Sequence, residues 1–135
     1  MSCMMDTCAF IWYVLDDERL PDDVKDIIIS SDEVYLSYAT LLEITIKQTI
    51  GKLDEFKWNI MDLAELCMDN GIMILPMKLS YLAKLRQLPL IHRDPFDRII
   101  TATAIVEDYT LLTCDSEIVK YAEVKTLWKI TKEEN

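Results

Sequence analysis

Short apolar runs alternate along this chain with segments of helical periodicity, and that alternation limits the possible folds more than any other feature. Residues 3–6, 33–37, 72–75, 110–113 and 124–128 read as buried strands. Between them, residues 7–15, 22–30, 38–49, 56–70, 80–87 and 97–107 read as helices, with a short one at 116–121. Strands covered on both faces lose the polar–apolar alternation of a half-exposed sheet, and intervening helices supply the crossovers that parallel strands need. The expected fold is α/β: a central, mostly parallel sheet with helices on both faces. Helix punctuation agrees, with an acidic first turn at Asp22-Asp23 and stop signals at Gly51 and Asn70-Gly71. In such folds ligands bind beyond the carboxyl ends of the strands.

A chain of 135 residues suits one domain, taken as residues 1–130 with a polar tail at 131–135. With 51% hydrophobic residues it can build a core, and 2 glycines and 4 prolines leave little linker material. The start, Met1-Ser2-Cys3-Met4-Met5-Asp6, has no basic segment, and Asp6 breaks the apolar run too early for a signal peptide. No apolar stretch reaches membrane-spanning length. A cytoplasmic protein with no membrane contact is expected. Cys3, Cys8, Cys67 and Cys114 form no Cys-x-x-Cys pair, so buried reduced thiols are expected. Met61, Met68, Met73 and Met77 read as core filling, and Phe10, Trp12 and Tyr13 as the packing of the first helix. The net charge of −10 argues against a basic clamp on nucleic acid. Such charge suits a cation site or a basic protein partner.

Chemistry concentrates in His92-Arg93-Asp94-Pro95-Phe96-Asp97-Arg98. Asp94 fits a helix N-cap, Pro95 the first helical position and Asp97 the third. Asp94 is assigned the cap and Asp97 the site, because a first-turn side chain can reach across the strand ends. Arg93 and Arg98 flank the acids and could hold a carboxylate or phosphate. Asp6 closes the first strand, where it could also cap the next helix; Thr7 could share that cap or orient the carboxylate. Glu43 shares a helical stripe with Ala39, Ile46 and Ile50, an unusual setting for a carboxylate, although an ion pair with Lys47 would explain it too. Asp115 follows the fourth strand, where either it or Ser116 could cap the short helix.

Gathered carboxylates repel one another and fold poorly without a cation, so Asp6, Glu43, Asp97 and Asp115 suggest divalent-metal chemistry. An all-oxygen set suits Mg²⁺. His92 is the sole histidine, too few for an acid–base pair, and reads as a loop residue that helps place the next helix. With 2 glycines there is neither a Gly-x-x-x-x-Gly-Lys nor a Gly-x-Gly-x-x-Gly loop.

Met5-Asp6-Thr7, then Ser37 with Leu42-Glu43-Ile44 and Lys47, then His92 to Arg98, then Thr113-Cys114-Asp115 resemble the successive motifs of PIN-domain nucleases, and within them the VapC-like toxins of type II toxin–antitoxin systems. The resemblance runs from residue 4 to Trp128. It departs at Cys8, where many members have His, and at Leu42, where many have Trp; neither change removes an acid. It implies a PIN fold and a ribonuclease dependent on Mg²⁺ or Mn²⁺ that cuts RNA endonucleolytically, forms a homodimer and is neutralised by a cognate antitoxin. The metal-binding and catalytic acids would be Asp6, Glu43, Asp97 and Asp115, with Asp6 and Asp97 at the centre. Ser37 and Thr113 would stand behind them as supporting polar residues. An acidic site also invites a basic antitoxin segment, whose Arg or Lys would displace the metal or lie over it. The alternatives are a non-catalytic acidic interaction module with a degenerate site, and a phospho-acceptor receiver domain. The latter is disfavoured because Asp6 has no acidic neighbour.

Overall fold

A computed structural model describes residues 1–128; the polar tail proposed for 131–135 lies outside the described residues. Among them are five strands: β1 (Ser2–Met5), β2 (Glu33–Ser37), β3 (Ile72–Leu75), β4 (Thr110–Leu112) and β5 (Lys125–Leu127). Six α-helices accompany them: α1 (Thr7–Leu15), α2 (Asp22–Ser30), α3 (Tyr38–Thr49), α4 (Ile60–Asp69), α5 (Leu79–Gln87) and α6 (Pro95–Glu107). A single 3₁₀ turn, Ile118–Lys120, stands where the sequence suggested a short helix.

All neighbouring strands pair in parallel, in the order β3-β2-β1-β4-β5. β1 sits at the centre, and its residues divide the core. Cys3 and Met5 point into one apolar cluster with Phe10, Val24, Leu63 and Cys67, whereas Met4 enters the other with Tyr81, Ile100 and Leu111. The two-residue period of a strand thus builds a helical layer on each face from a single tetrapeptide. The chain leaves β1 toward β2 and β3, then crosses back to place β4 on the opposite side of β1. A topological switch point therefore opens between β1 and β4, the place where a doubly wound sheet offers a crevice.

Three differences from the sequence reading have local causes. The fourth helix starts at Ile60, not near Phe56, because Asn59 caps it, accepting from the Asp62 N–H at 2.9 Å and donating back to the Asp62 carboxylate. Phe56 is still buried, from a loop whose carbonyl accepts from Gln48 Nε2 at 3.0 Å; the spacing Phe56, Ile60, Leu63, Cys67 therefore mimicked one continuous helix. Met61, Met68, Met73 and Met77, expected in the core, are exposed instead. α4 turns Leu63 and Cys67 inward and leaves Met61 and Met68 76% and 79% exposed, while Met73 lies on an edge strand. Finally, Cys3 and Cys67 are buried as expected, but Cys8 and Cys114 are exposed.

With 2 glycines available, left-handed helix ends fall partly to aspartate: Asp16 (φ 52°) and Asp108 (φ 62°) close α1 and α6. Because Phe56 is an anchor from a loop, Phe56→Ala should cost about 3–4 kcal/mol by leaving a cavity against Leu63 and its neighbours. Urea denaturation measures it; a loss below about 1 kcal/mol would mean that the loop collapses to fill the space.

Candidate active site

The central strands end together. Ser37 closes β2, Asp6 follows β1, and Thr113 follows β4. The Asp6 amide donates to the Leu112 carbonyl at 3.2 Å, so the β1–β4 ladder runs right up to the acid. Asp97 arrives on the first turn of α6 and Asp115 on the loop after β4. Glu43 comes from α3, which packs against both α1 and α6.

For two of these acids, capping and site membership prove compatible, because a carboxylate has two oxygens. Asp6 Oδ1 accepts from the Ala9 amide at 2.8 Å and caps α1. Asp115 Oδ1 accepts from the amides of Glu117 and Ile118 at 2.7 and 3.1 Å, leaving Oδ2 to reach His92 Nε2 at 3.0 Å. Asp94 takes only the cap, accepting from the Phe96 and Asp97 amides. Asp97 is thereby free of capping, and its Oδ2 lies 3.2 Å from His92 Nε2.

His92, Asp97 and Asp115 bring one donor atom each to within 4.8 Å of one another. His92 was not singled out for the site from sequence. It does place the following turn, since Nδ1 accepts from the Asp94 amide at 3.1 Å, but its other nitrogen faces the acids. The available signal was its position five residues before Asp97 in a chain with no other histidine.

Asp6 lies outside that cluster, and so does Glu43. Glu43 is 4% exposed, with Oε1 accepting from the Thr7 hydroxyl at 2.7 Å and Oε2 paired with Lys47 Nζ at 2.8 Å. The ion pair weighed from the i,i+4 spacing is thus present. The stripe that suggested burial is buried only at Ala39, with Ile46 and Ile50 exposed; Thr7, itself hydrogen-bonded to Thr40, holds the carboxylate. Ser37 Oγ accepts from the Ala39 amide and caps α3, while Thr113 Oγ1 accepts from the Asp115 amide and shapes the turn that presents Asp115.

Arg98 is not brought to the carboxylates. Its guanidinium donates to the carbonyls of Pro89 and Leu85 and to Tyr121 Oη, pinning the α5–α6 connection. Three geometrically matched acceptors outcompete a more distant anion. Arg98→Ala should therefore lower stability by about 2 kcal/mol in urea denaturation and leave Mn²⁺ affinity by calorimetry unchanged; the reverse pattern would return Arg98 to the site.

The electrostatics bear the mark of crowded acids. Burial pushes Asp6 up to about 6, with Asp115 and Glu43 adding to the rise and the Thr113 hydroxyl and Ala9 amide opposing it. Burial also carries Asp97 up to about 7, helped by Asp94, Glu43 and Asp115 and opposed by His92. Asp115 goes the other way: burial alone would raise it, but hydrogen bonds from His92 and from the Glu117 and Ile118 amides hold it below its ordinary value. Although Cys8 is exposed as a residue, its thiol is partly desolvated, and this with the charges of Asp6, Asp97, Cys114 and Glu43 lifts it to about 12, so it stands within the same field as a neutral group.

This donor set fits a hard divalent cation. Asp97 and Asp115 offer oxygen donors within 4.8 Å of one another and Asp6 stands within the field of Asp115; Asp6 and Asp97 each carry a carboxyl that resists ionising without a compensating positive charge. Beside Asp115 a cleft of about 590 Å³ opens between Thr113–Ser116 and Thr126–Trp128.

A family model, the PIN domain, matches residues 3–124. The chain belongs to the PIN domain family. PIN domains are generally nucleases. Three similar solved structures carry the same fold. VapBC2 from Rickettsia felis, bound to a DNA fragment from its promoter, aligns with a TM-score of 0.73 at 15% identity, covering 96% of this chain and 100% of that one. VapBC-1 from nontypeable Haemophilus influenzae aligns at 0.66 and 16%, covering 94% and 97%. FitAcB from Neisseria gonorrhoeae aligns at 0.56 and 19%, covering 92% and 95%. At such identities the likeness speaks for the fold. No curated protein sequence matches.

Proposed function

We propose that this PIN domain is a metal-dependent ribonuclease that cuts RNA endonucleolytically, as the toxin component of a type II toxin–antitoxin pair. The observation that carries the reading is the gathering of Asp97 and Asp115 beside His92 at the carboxyl ends of the strands, with Asp6 within the field of Asp115 and both Asp6 and Asp97 raised far above the ordinary carboxylate range. Such a site costs stability unless it binds a cation, and folds do not keep that cost without use.

Asp6, Asp97 and Asp115 would hold Mg²⁺ or Mn²⁺, and Glu43 would add negative charge from α3. A cation there lowers the pKa of a water and offsets charge on a phosphodiester. The protein's part is positional: capping amides fix one oxygen of Asp6 and of Asp115, so each carboxylate is oriented by its helix or turn without being used up by it. Thr7 and Thr113 orient the acids behind it. The cleft beside Asp115 would receive the strand to be cut, with Trp128 on its wall as a stacking surface for a base.

The partner reading rests on the similar structures, which are solved as VapBC and Fit assemblies, and on a net charge of −10 that suits a basic antitoxin segment. An apolar groove of about 510 Å³ around Met68, Ile72, Met73 and Ile74 adds a surface for that partner's side chains. A homodimer is favoured by an exposed apolar stripe on α3, Tyr38, Leu42, Ile46 and Ile50. Among the described residues no helix is long and apolar enough to cross a membrane, in keeping with the cytoplasmic setting proposed here. The test is cleavage of single-stranded RNA with Mg²⁺ or Mn²⁺ against EDTA. Cleavage is expected with either metal and none with the chelator; chelator-independent cleavage, or none with any metal, removes the assignment.

A further inference from the structure

His92 is close enough to Asp97 and Asp115 to pass for a third metal ligand, but its hydrogen bonds argue otherwise. A neutral imidazole carries one proton. Nδ1 accepts from the backbone N–H of Asp94 at 3.1 Å, so Nδ1 presents its lone pair. The proton must then sit on Nε2, which points at Asp115 Oδ2 (3.0 Å) and Asp97 Oδ2 (3.2 Å). For Nε2 to bind a metal, the proton would have to move to Nδ1, where it would face the Asp94 N–H donor to donor.

We infer that His92 is a positioning residue and not a ligand: its Nε2–H is donated to Asp115 and stands 3.2 Å from Asp97, and it holds the two carboxylates together where a divalent cation would bind. The inference rests on the metal reading of the site given above. The surrounding geometry makes the ring a rigid strut. The His92 amide donates to Tyr121 Oη at 2.9 Å, so the backbone that carries the ring is tied to the chain after β4. The ring's other end is held by the Asp94 amide, one residue before α6 begins. Asp97 and Asp115 lie on segments that the sheet does not bond directly, and the His92 ring spans that gap, hydrogen-bonded to Asp115 and 3.2 Å from Asp97. Oriented ligands bind more tightly because less freedom is lost on loading.

The test uses the full chain, in which a single histidine makes the imidazole signals unambiguous. In ¹⁵N-labelled protein, long-range ¹H–¹⁵N correlations should show a protonated Nε2 and a bare Nδ1 without metal, and the same pattern after Mg²⁺ is added. Calorimetry with Mn²⁺ then separates the two nitrogens. His92→Gln places an amide N–H near the Nε2 position and should retain most of the affinity. His92→Asn keeps only an acceptor near the Nδ1 position and should weaken binding by about 10- to 100-fold. Melting curves of both variants report whether the loop still folds. Loss of the Nε2 proton on loading would make His92 a ligand and overturn the inference. So would Mn²⁺ affinity that His92→Asn leaves unchanged, or an equal loss in both variants. No Mn²⁺ uptake by the unmodified chain would overturn the metal reading itself, and this one with it.

Discussion

Asp97→Asn is expected to lower Mg²⁺-dependent RNA cleavage by on the order of 10³-fold, about 4 kcal/mol of transition-state stabilisation, while the protein folds at least as well as before. Asp97 is the acid whose structural duties are lightest. Asp94 performs the capping of α6, and the Asp97 amide that donates to Asp94 is untouched by a change of side chain. Its carboxylate is the one most strongly disfavoured, raised to about 7 by burial and by Asp94, Glu43 and Asp115. A neutral isostere removes that repulsion, so Tm without metal should rise by a few degrees as catalysis disappears. The opposed directions matter, because a structural residue would lose both. Cleavage that survives both EDTA and Asp97→Asn would leave the nuclease reading without a site.

The second large effect is on stability against pH. The folded pKa values of Asp6, about 6, and Asp97, about 7, lie above the 3.8 of an unfolded chain. The folded state therefore keeps these protons longer than the unfolded one. Their contribution is fully favourable below about pH 4 and is lost as pH rises through 6 and 7. His92, raised when the Asp115 hydrogen bond and the surrounding acids outweigh burial, has the same sign. Asp115, held low, contributes in the opposite sense and loses its share only in strong acid. The metal-free chain should be most stable near pH 5. By pH 8 it should lose on the order of 3 kcal/mol, or roughly 10 °C in Tm. Mg²⁺ or Mn²⁺ at pH 8 should restore most of this, because a ligand that binds only the folded state stabilises it by mass action. Thermal melts across pH, with and without metal, check both parts. A flat profile, or equal stabilisation by metal at pH 5 and pH 8, would mean that the acids do not share a field.

Much of the architecture could be read from local pattern. Glu33–Ser37 and Ile72–Leu75 form the strands expected of them, and Thr7–Leu15, Asp22–Ser30 and Tyr38–Thr49 the helices. Burial on both faces writes itself into the chain as unbroken apolar runs, and capping residues mark helix ends within one turn. Where the pattern misled, a tertiary contact mimicked a local one. Phe56 continues a helical stripe in sequence but reaches the core from a loop. Met61 and Met68 are apolar yet exposed, because α4 has already filled its buried face with Leu63 and Cys67.

The division is sharpest at the site. The kinds of residue available to it, carboxylates at helix starts and strand ends, are a property of the chain alone, since helix N-termini and strand ends select acids by local hydrogen bonding and the helix dipole. Which of them meet is decided only by the order β3-β2-β1-β4-β5. That order sets Asp6 beside the segment after β4, folds Glu43 against Thr7 and Lys47, turns Arg98 to the carbonyls of Leu85 and Pro89, and swings His92 between Asp97 and Asp115. Local sequence carries the propensity of each segment, whereas distances between segments far apart in the chain exist only once the sheet has closed.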